Sequence, residues 1–150
     1  MSTGKNITGG SAKHAQFFGG MPRVAHIAHR GGGLVYPENT LFAFRNAARR
    51  YATDCIETDV HLSGDGEVVV FHDESLERTT NSKGKVTVKK WPYLAQLDAG
   101  HQFTRDDGQT YPFRSIGIRI PRLIDVLRAL PLMRFNIDLK GTNPDLATAV

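Results

Sequence analysis

The sequence has one cysteine, Cys55, in 150 residues. That excludes an internal disulfide and fits a reducing compartment. Its place within an apolar run marks a buried structural thiol rather than a nucleophile. No apolar stretch approaches the roughly 20 residues needed to span a bilayer. The first twenty residues carry Lys5 and Lys13 but no apolar segment of the kind a secretory signal requires, so a cytoplasmic location is expected. A dense basic cluster is also missing: Arg49-Arg50 and Lys89-Lys90 are pairs that read as solvated surface. A net charge of +4 without a basic patch speaks against nucleic acid as a partner and for an anionic small molecule or lipid headgroup.

What is present is globular: 40% hydrophobic and 23% charged residues, a length ordinary for one domain. Residues 1–22, rich in Gly, Ser, Thr and Lys, read as a flexible leader, with residues 23–150 as the domain. Phe17-Phe18 is the part of the leader suited to docking. Val24 to Ala28 reads as a buried strand ending in His29-Arg30-Gly31-Gly32-Gly33. Three glycines allow close approach of backbone to a ligand, and Arg30 offers a bidentate fork for phosphate. Pro37-Glu38-Asn39-Thr40 starts a helix with Asn39 as cap, and Leu41, Phe44, Ala48 and Tyr51 keep helical spacing. With the strand at Ile56 this makes one βαβ unit, hence a parallel pair and a right-handed crossover.

The central stretch is Cys55-Ile56-Glu57-Thr58-Asp59-Val60. Strand periodicity puts Glu57 and Asp59 on one face. Two close carboxylates require a positive neighbour, and a hard cation held by oxygen ligands is the usual resolution. Ordinary salt bridges to Arg30 and Lys140 are the alternative. Asp65-Gly66 reads as a hairpin turn that folds Val68–Phe71 and His72 back toward the pair. Residues 74–117 lack a clean period and are too long for a simple loop. They read as a small inserted subdomain with a turn at Gly84, a short strand at Val86–Val88 and a helical patch at Tyr93–Leu97. Pro121 opens a helix with Leu123, Ile124, Leu127 and Leu130, closed by Pro131. Arg134–Lys140 is a third strand with Phe135, Ile137 and Leu139 on one face and Asn136, Asp138 and Lys140 on the other. Asn143-Pro144 begins another helix.

Each polar cluster thus falls at the carboxyl end of a strand. This is the layout of an α/β fold of the (β/α)₈ barrel type; a doubly wound sheet shares it. A whole barrel needs about 250 residues, so the expectation is the amino-terminal part, about three β/α units with an insert.

The segments His29-Arg30-Gly31, Pro37-Glu38-Asn39-Thr40, Ile56-Glu57-Thr58-Asp59-Val60, Asp65-Gly66, Val70-Phe71-His72-Asp73, Leu76-Glu77-Arg78-Thr79-Thr80 and Asn136-Ile137-Asp138-Leu139-Lys140 resemble, in order and spacing, the glycerophosphodiester phosphodiesterase family. The resemblance implies a metal-dependent hydrolase of glycerophosphodiesters on a (β/α)₈ barrel. Position by position it implies Glu57, Asp59 and Asp138 as ligands of Ca²⁺ or Mg²⁺, and His29 and His72 as the acid/base pair. Arg30 and Lys140 would hold the phosphate, with Glu38 in support. Many members have Glu where this chain has Asp138. The shorter side chain requires the metal closer to that strand or a bridging water, and resembles the lysophospholipase-D-like branch, which implies lysophospholipid substrates as the alternative.

Other residues read more plainly. His14, His26, His61 and His101 are surface or satisfied core. Asp65, Asp73, Asp106 and Asp107 are turn residues. Arg45 is solvated helix face, and Trp91 is insert core. Arg78 fits either a surface position or a reach toward the substrate. A different class of function also fits: a non-catalytic fragment whose open strand edges make it self-associate.

Overall fold

The computed structural model describes residues 17–22 and 24–150. The leader reading of residues 1–22 therefore lies, for residues 1–16 and with them His14, outside the described residues. Of the rest, the Phe17 and Gly19 carbonyls accept hydrogen bonds from the Arg134 guanidinium at 2.9 and 2.6 Å.

Three parallel strands form the sheet: β1 (Ile27–His29), β2 (Cys55–Leu62) and β4 (Arg134–Leu139), with β2 central. Between β2 and β4 in sequence, β3 (Val68–Val70) turns back antiparallel onto the end of β2, pairing Val60 with Val70. The hairpin turn is where Asp65-Gly66 places it, with Gly66 at φ +86° and a five-residue connection. The Phe71 N–H donates to the Asp59 carbonyl at 2.9 Å, which carries the chain at His72 back beside β2.

Helix α1 (Leu41–Arg50) follows β1 and buries Ala43, Phe44 and Ala47. Its cap is Thr40, whose hydroxyl accepts from the Ala43 N–H at 3.1 Å. The expected cap, Asn39, is displaced one residue outward into the left-handed region, φ +55°, and its side chain is used elsewhere. Helices α3 (Leu123–Ala129) and α4 (Pro144–Ala149) complete the outer layer, and Asn143 caps α4 as its Asn-Pro sequence suggests. Ile56, Val60, Phe44, Val126 and Leu146 meet in one apolar cluster between the sheet and these helices. Full burial of each such side chain stabilises by about 1.5–3 kcal/mol.

A second cluster joins Val69 and Phe71 of the hairpin to Leu76, Val86, Leu94 and Ile120. It seats residues 74–117 on the outside of β3. Here the elements differ from expectation. Val86–Val88 is a single 3-10 turn, and among the described residues it pairs with no strand of the sheet. The short helix is α2, Trp91–Leu94, where Pro92 sits in the first turn and loses no hydrogen bond there.

The strand read as buried at Val24–Ala28 is shorter and largely exposed. β1 has β2 on one side and, among the described residues, no strand on the other, so Val24 and Ile27 stay 87% and 52% exposed. Among the described residues no helix is long and apolar enough to cross a membrane.

Candidate active site

The in-register pairing of β2 with β4 builds the site. Glu57 lies beside Asn136, Asp59 beside Asp138, and His29 of β1 beside Glu57 on the other flank. Paired residues in a sheet project to the same face, so the alternation seen in each strand becomes a shared polar face. One carboxylate oxygen from each of Glu57, Asp59 and Asp138 lies within 4.8 Å of the others. Opposed oxygens around a cation with ligands at about 2.4 Å are separated by about that distance. The donor set, three hard oxygens, therefore fits a hard divalent cation. Asp138 joins the group despite its short side chain because β4 pairs directly with β2.

Two basic groups border the carboxylates. Arg30, at φ +52°, donates its backbone N–H to Glu57 at 3.0 Å, and its Nε lies 3.4 Å from Asp59. That Nε is buried and among the described residues has no hydrogen-bond partner, its approach to Asp59 being an ion pair only. Lys140 sits where β4 ends, its Nζ 2.6 Å from Asp138 and 3.0 Å from Asp59. Hydrogen bonding to Asp138 holds the Lys140 pKa above its usual value against a partial desolvation, with Asp59 adding to the rise. The salt-bridge alternative for Asp59 is thus realised with both cations, on the same oxygens that suit a metal.

His29 is 71% exposed, its Nε2 3.8 Å from Glu57. His72 stands apart from the carboxylates: among the described residues no ion pair joins it to them, and its Nδ1 is 2.6 Å from Asp73. With Lys140 it lines a cavity of about 720 Å³. His29, Arg30 and Glu38 line another of about 430 Å³ alongside the three glycines.

Three residues do more than their sequence reading suggests. Asn39 is buried and clamps β2. Its Nδ2 donates to Asp59 Oδ2 at 2.9 Å, and its Oδ1 accepts from the Thr58 hydroxyl at 2.8 Å and from the Asp59 N–H at 3.3 Å. Asp73 is no mere turn residue, since it bonds both His72 and Arg78. These bonds, that to Arg78 foremost, hold its pKa down at about 2. Arg78 also reaches Glu38 with two nitrogens, at 2.9 and 2.7 Å. Burial pushes the Glu38 pKa up, but Arg78 and Arg30 together bring it below its usual value. The sequence signal for Asn39 was two adjacent capping types, Asn-Thr, where a helix needs one. For Asp73 it was an acid directly after a candidate histidine.

The remaining histidines take ordinary roles. His61 is buried with its Nε2 3.0 Å from the His72 carbonyl, and His101 faces Asp98 at 3.5 Å. His26 lies 3.4 Å from the Thr53 hydroxyl. Burial raises the Cys55 pKa and leaves an inert thiol.

Comparison with known proteins bears on this geometry. The profile of the glycerophosphoryl diester phosphodiesterase family matches residues 29–148. Human lysophospholipase D GDPD1 is 38% identical over 122 residues, covering 79% of this chain and 37% of that protein. A glycerophosphodiester phosphodiesterase of Bacillus altitudinis is 41% identical over 119 residues, 77% of this chain and 45% of its own length. An Oleispira antarctica phosphodiesterase, solved in complex with the product sn-glycerol-3-phosphate, superposes with a TM-score of 0.73 at 33% identity, over 89% of this chain and 51% of that one. The chain thus spans under half the length of the first two of these proteins and about half of the third. The family match extends over most of the chain, from the histidine that ends β1 to the last turns of α4, and takes in every residue of the site: the chain belongs to the glycerophosphoryl diester phosphodiesterase family.

Proposed function

We propose that this chain carries the active site of a metal-dependent glycerophosphodiester phosphodiesterase, the first three β/α units of a (β/α)₈ barrel with residues 74–117 as a seated insert. The observation that carries the reading is the convergence of Glu57, Asp59 and Asp138 oxygens within 4.8 Å on the shared polar face of two paired parallel strands. These three residues would hold Ca²⁺ or Mg²⁺. When bound, such a cation polarises a phosphoryl oxygen and stabilises charge developing on it.

The chain's own groups supply the rest. Arg30 and Lys140 neutralise the phosphodiester anion, and the Arg30 Nε, without a hydrogen bond among the described residues, offers one to a phosphoryl oxygen. Glu38 accepts from Arg30 at 3.0 Å and keeps its fork from swinging away. His29 and His72 are the acid/base pair, one taking a proton and the other giving one. The neighbouring hydroxyl of the glycerol forms a new O–P bond as the P–O bond to the leaving alcohol breaks. One histidine takes the hydroxyl proton and the other donates a proton to the departing alkoxide, giving a cyclic phosphate that water opens later.

The similarity to a lysophospholipase D and the Asp at position 138 favour lysophospholipids as a second substrate class. The cyclic route predicts little turnover of diacyl lipids, whose hydroxyl is blocked; comparable rates on a diacyl substrate contradict it. The central test is release of choline or glycerol phosphate from glycerophosphocholine and lysophosphatidylcholine, with Ca²⁺, with Mg²⁺ and with chelator. Turnover that requires the cation and is lost in His72→Ala is expected. Turnover that survives chelator, or survives His72→Ala, rules the reading out, and a folded chain with no turnover favours the non-catalytic alternative.

A further inference from the structure

We propose that Asp73 and Arg78 are positioning residues that hold His72 in the Nδ1–H tautomer and tie it to the phosphate-binding Arg30. The inference rests on the roles given above to His72 and Arg30 and adds two residues to them.

The geometry is a chain of alternating charges. His72 Nδ1 lies 2.6 Å from Asp73 Oδ1, and Arg78 donates to both Asp73 oxygens, Nε to Oδ2 at 2.6 Å and a terminal nitrogen to Oδ1 at 3.0 Å. The same guanidinium donates to both oxygens of Glu38, and Glu38 Oε1 also accepts from Arg30 at 3.0 Å. An ionised carboxylate is an acceptor only, so Asp73 requires the proton of the neutral His72 ring to sit on Nδ1. Nε2 is then bare, free to take a proton and to return it. Without the anion at Asp73 the ring can carry its proton on Nε2, where it is mute as a base.

A solvent-facing ion pair is worth little on its own, but two features set this one apart. Arg78 grips a carboxylate on each side through separate edges of its planar fork, which a lysine cannot reproduce. Its turn is also anchored by burial on both flanks. Leu76 and Thr80 are fully buried, and the Thr80 hydroxyl and N–H both bond the Leu76 carbonyl, at 2.7 and 3.1 Å. His72 is fixed from behind as well, through its carbonyl to His61 Nε2. The segment after β3 therefore delivers a preset guanidinium to a gap between two carboxylates, one on each arm of the site.

The two arms predict different symptoms. Loss of Asp73 strikes His72, hence kcat. Loss of Arg78 also leaves Glu38 with Arg30 alone, drawing the phosphate fork toward Glu38, hence a raised KM. A merely structural role moves neither tautomer nor this split.

The test is a long-range ¹H–¹⁵N correlation spectrum of the chain labelled with ¹⁵N-histidine, at alkaline pH where the rings are neutral, with His72 assigned from its loss in His72→Gln. Wild type is expected to carry the proton on Nδ1, and Asp73→Asn to move it to Nε2. In the steady state, Asp73→Asn should lower kcat by about 10²–10⁴-fold with KM little changed, the scale seen when an orienting Asp becomes Asn. Arg78→Gln should give mixed tautomers and a raised KM, with Arg78→Lys recovering only part. A wild-type ring protonated on Nε2, or a tautomer indifferent to both Asp73→Asn and Arg78→Gln in variants that remain folded at the temperature of the spectrum, overturns the relay. If His72→Ala leaves turnover intact, the functional reading fails instead, and the spectrum still decides the relay separately.

Discussion

Replacing Asn39 by alanine isolates a buried polar side chain that ties the loop before α1 to β2. Three hydrogen bonds are lost at once: to the Asp59 carboxylate, to the Asp59 N–H and to the Thr58 hydroxyl. The bond to a carboxylate is worth about 1.5–3 kcal/mol, and a buried hydroxyl left without a partner costs about 1–3 kcal/mol. Thr58 is completely buried, so water cannot replace the lost acceptor. Alanine must further adopt φ +55°, which adds about 1 kcal/mol. Because the groups share partners these amounts do not sum, and a loss of about 3–5 kcal/mol is expected, read as a drop in the urea midpoint at unchanged slope. The double variant Asn39→Ala/Thr58→Val separates the contributions. Valine removes the orphan hydroxyl at nearly the same shape, so the pair should be less destabilised than the sum of its singles by about 1–2 kcal/mol. Strict additivity, or a loss in Asn39→Ala below about 1 kcal/mol, refutes the assignment of Asn39 as the clamp on β2.

Three further outcomes follow from the same geometry. The depressed Asp73 pKa, near 2, means that its ion pairs stabilise the fold above the unfolded-state value and are lost as pH falls from about 4 toward 2. Asp73→Asn should therefore cost about 1–2 kcal/mol at pH 6 and almost nothing at pH 2; a pH-independent difference in denaturation midpoints contradicts it. Gly31→Ala would place a Cβ 2.5 Å from a ring carbon of Phe44 at φ +76°, and a loss of about 3 kcal/mol or more by calorimetry is expected, with near-neutral stability refuting it. Lys140→Gln removes a positive charge from oxygens that a cation would share, so Ca²⁺ affinity measured by titration calorimetry should rise about fivefold or more while KM for the anionic substrate also rises; weakened Ca²⁺ binding is the refuting result.

What could be read in the sequence was whatever a local period or a turn residue determines. Alternation in β2 and β4 put Glu57 with Asp59 and Asp138 with Lys140, and Asp65-Gly66 located the hairpin. Pro131 bounded α3, and Asn143-Pro144 began α4. What could not be read depended on partners far away in the chain. Arg78 meets Glu38 across 40 residues, and no local pattern distinguishes it from a surface arginine. Asn39 and Thr40 are both capping types, and the choice between them is made by Thr58 and Asp59 on the neighbouring strand, which draw Asn39 inward. Among the described residues Val86–Val88 has strand composition without a strand to pair with, and Val24 and Ile27 have core composition at an edge that no described strand covers. In both cases propensity reports what a residue suits, while exposure and pairing depend on what the rest of the sheet provides.

The charge arrangement explains why these pieces belong together. Glu57, Asp59 and Asp138 bring three negative charges to one spot, and Arg30 and Lys140 return two, leaving the group one short of neutral. A divalent cation held there would invert that sign to a single positive charge, the complement of the phosphodiester monoanion proposed as substrate. Glu57 and Asp59 come from β2, Asp138 and Lys140 from β4, and Arg30 from the loop after β1, so the balance exists only when the three parallel strands are in register. A one-residue slip of β4 would turn Asp138 and Lys140 to the opposite face and leave Asp59 without its amine. The apolar alternation of Phe135 and Ile137 against the helices opposes that slip, so the packing of one face of the sheet sets the electrostatics of the other.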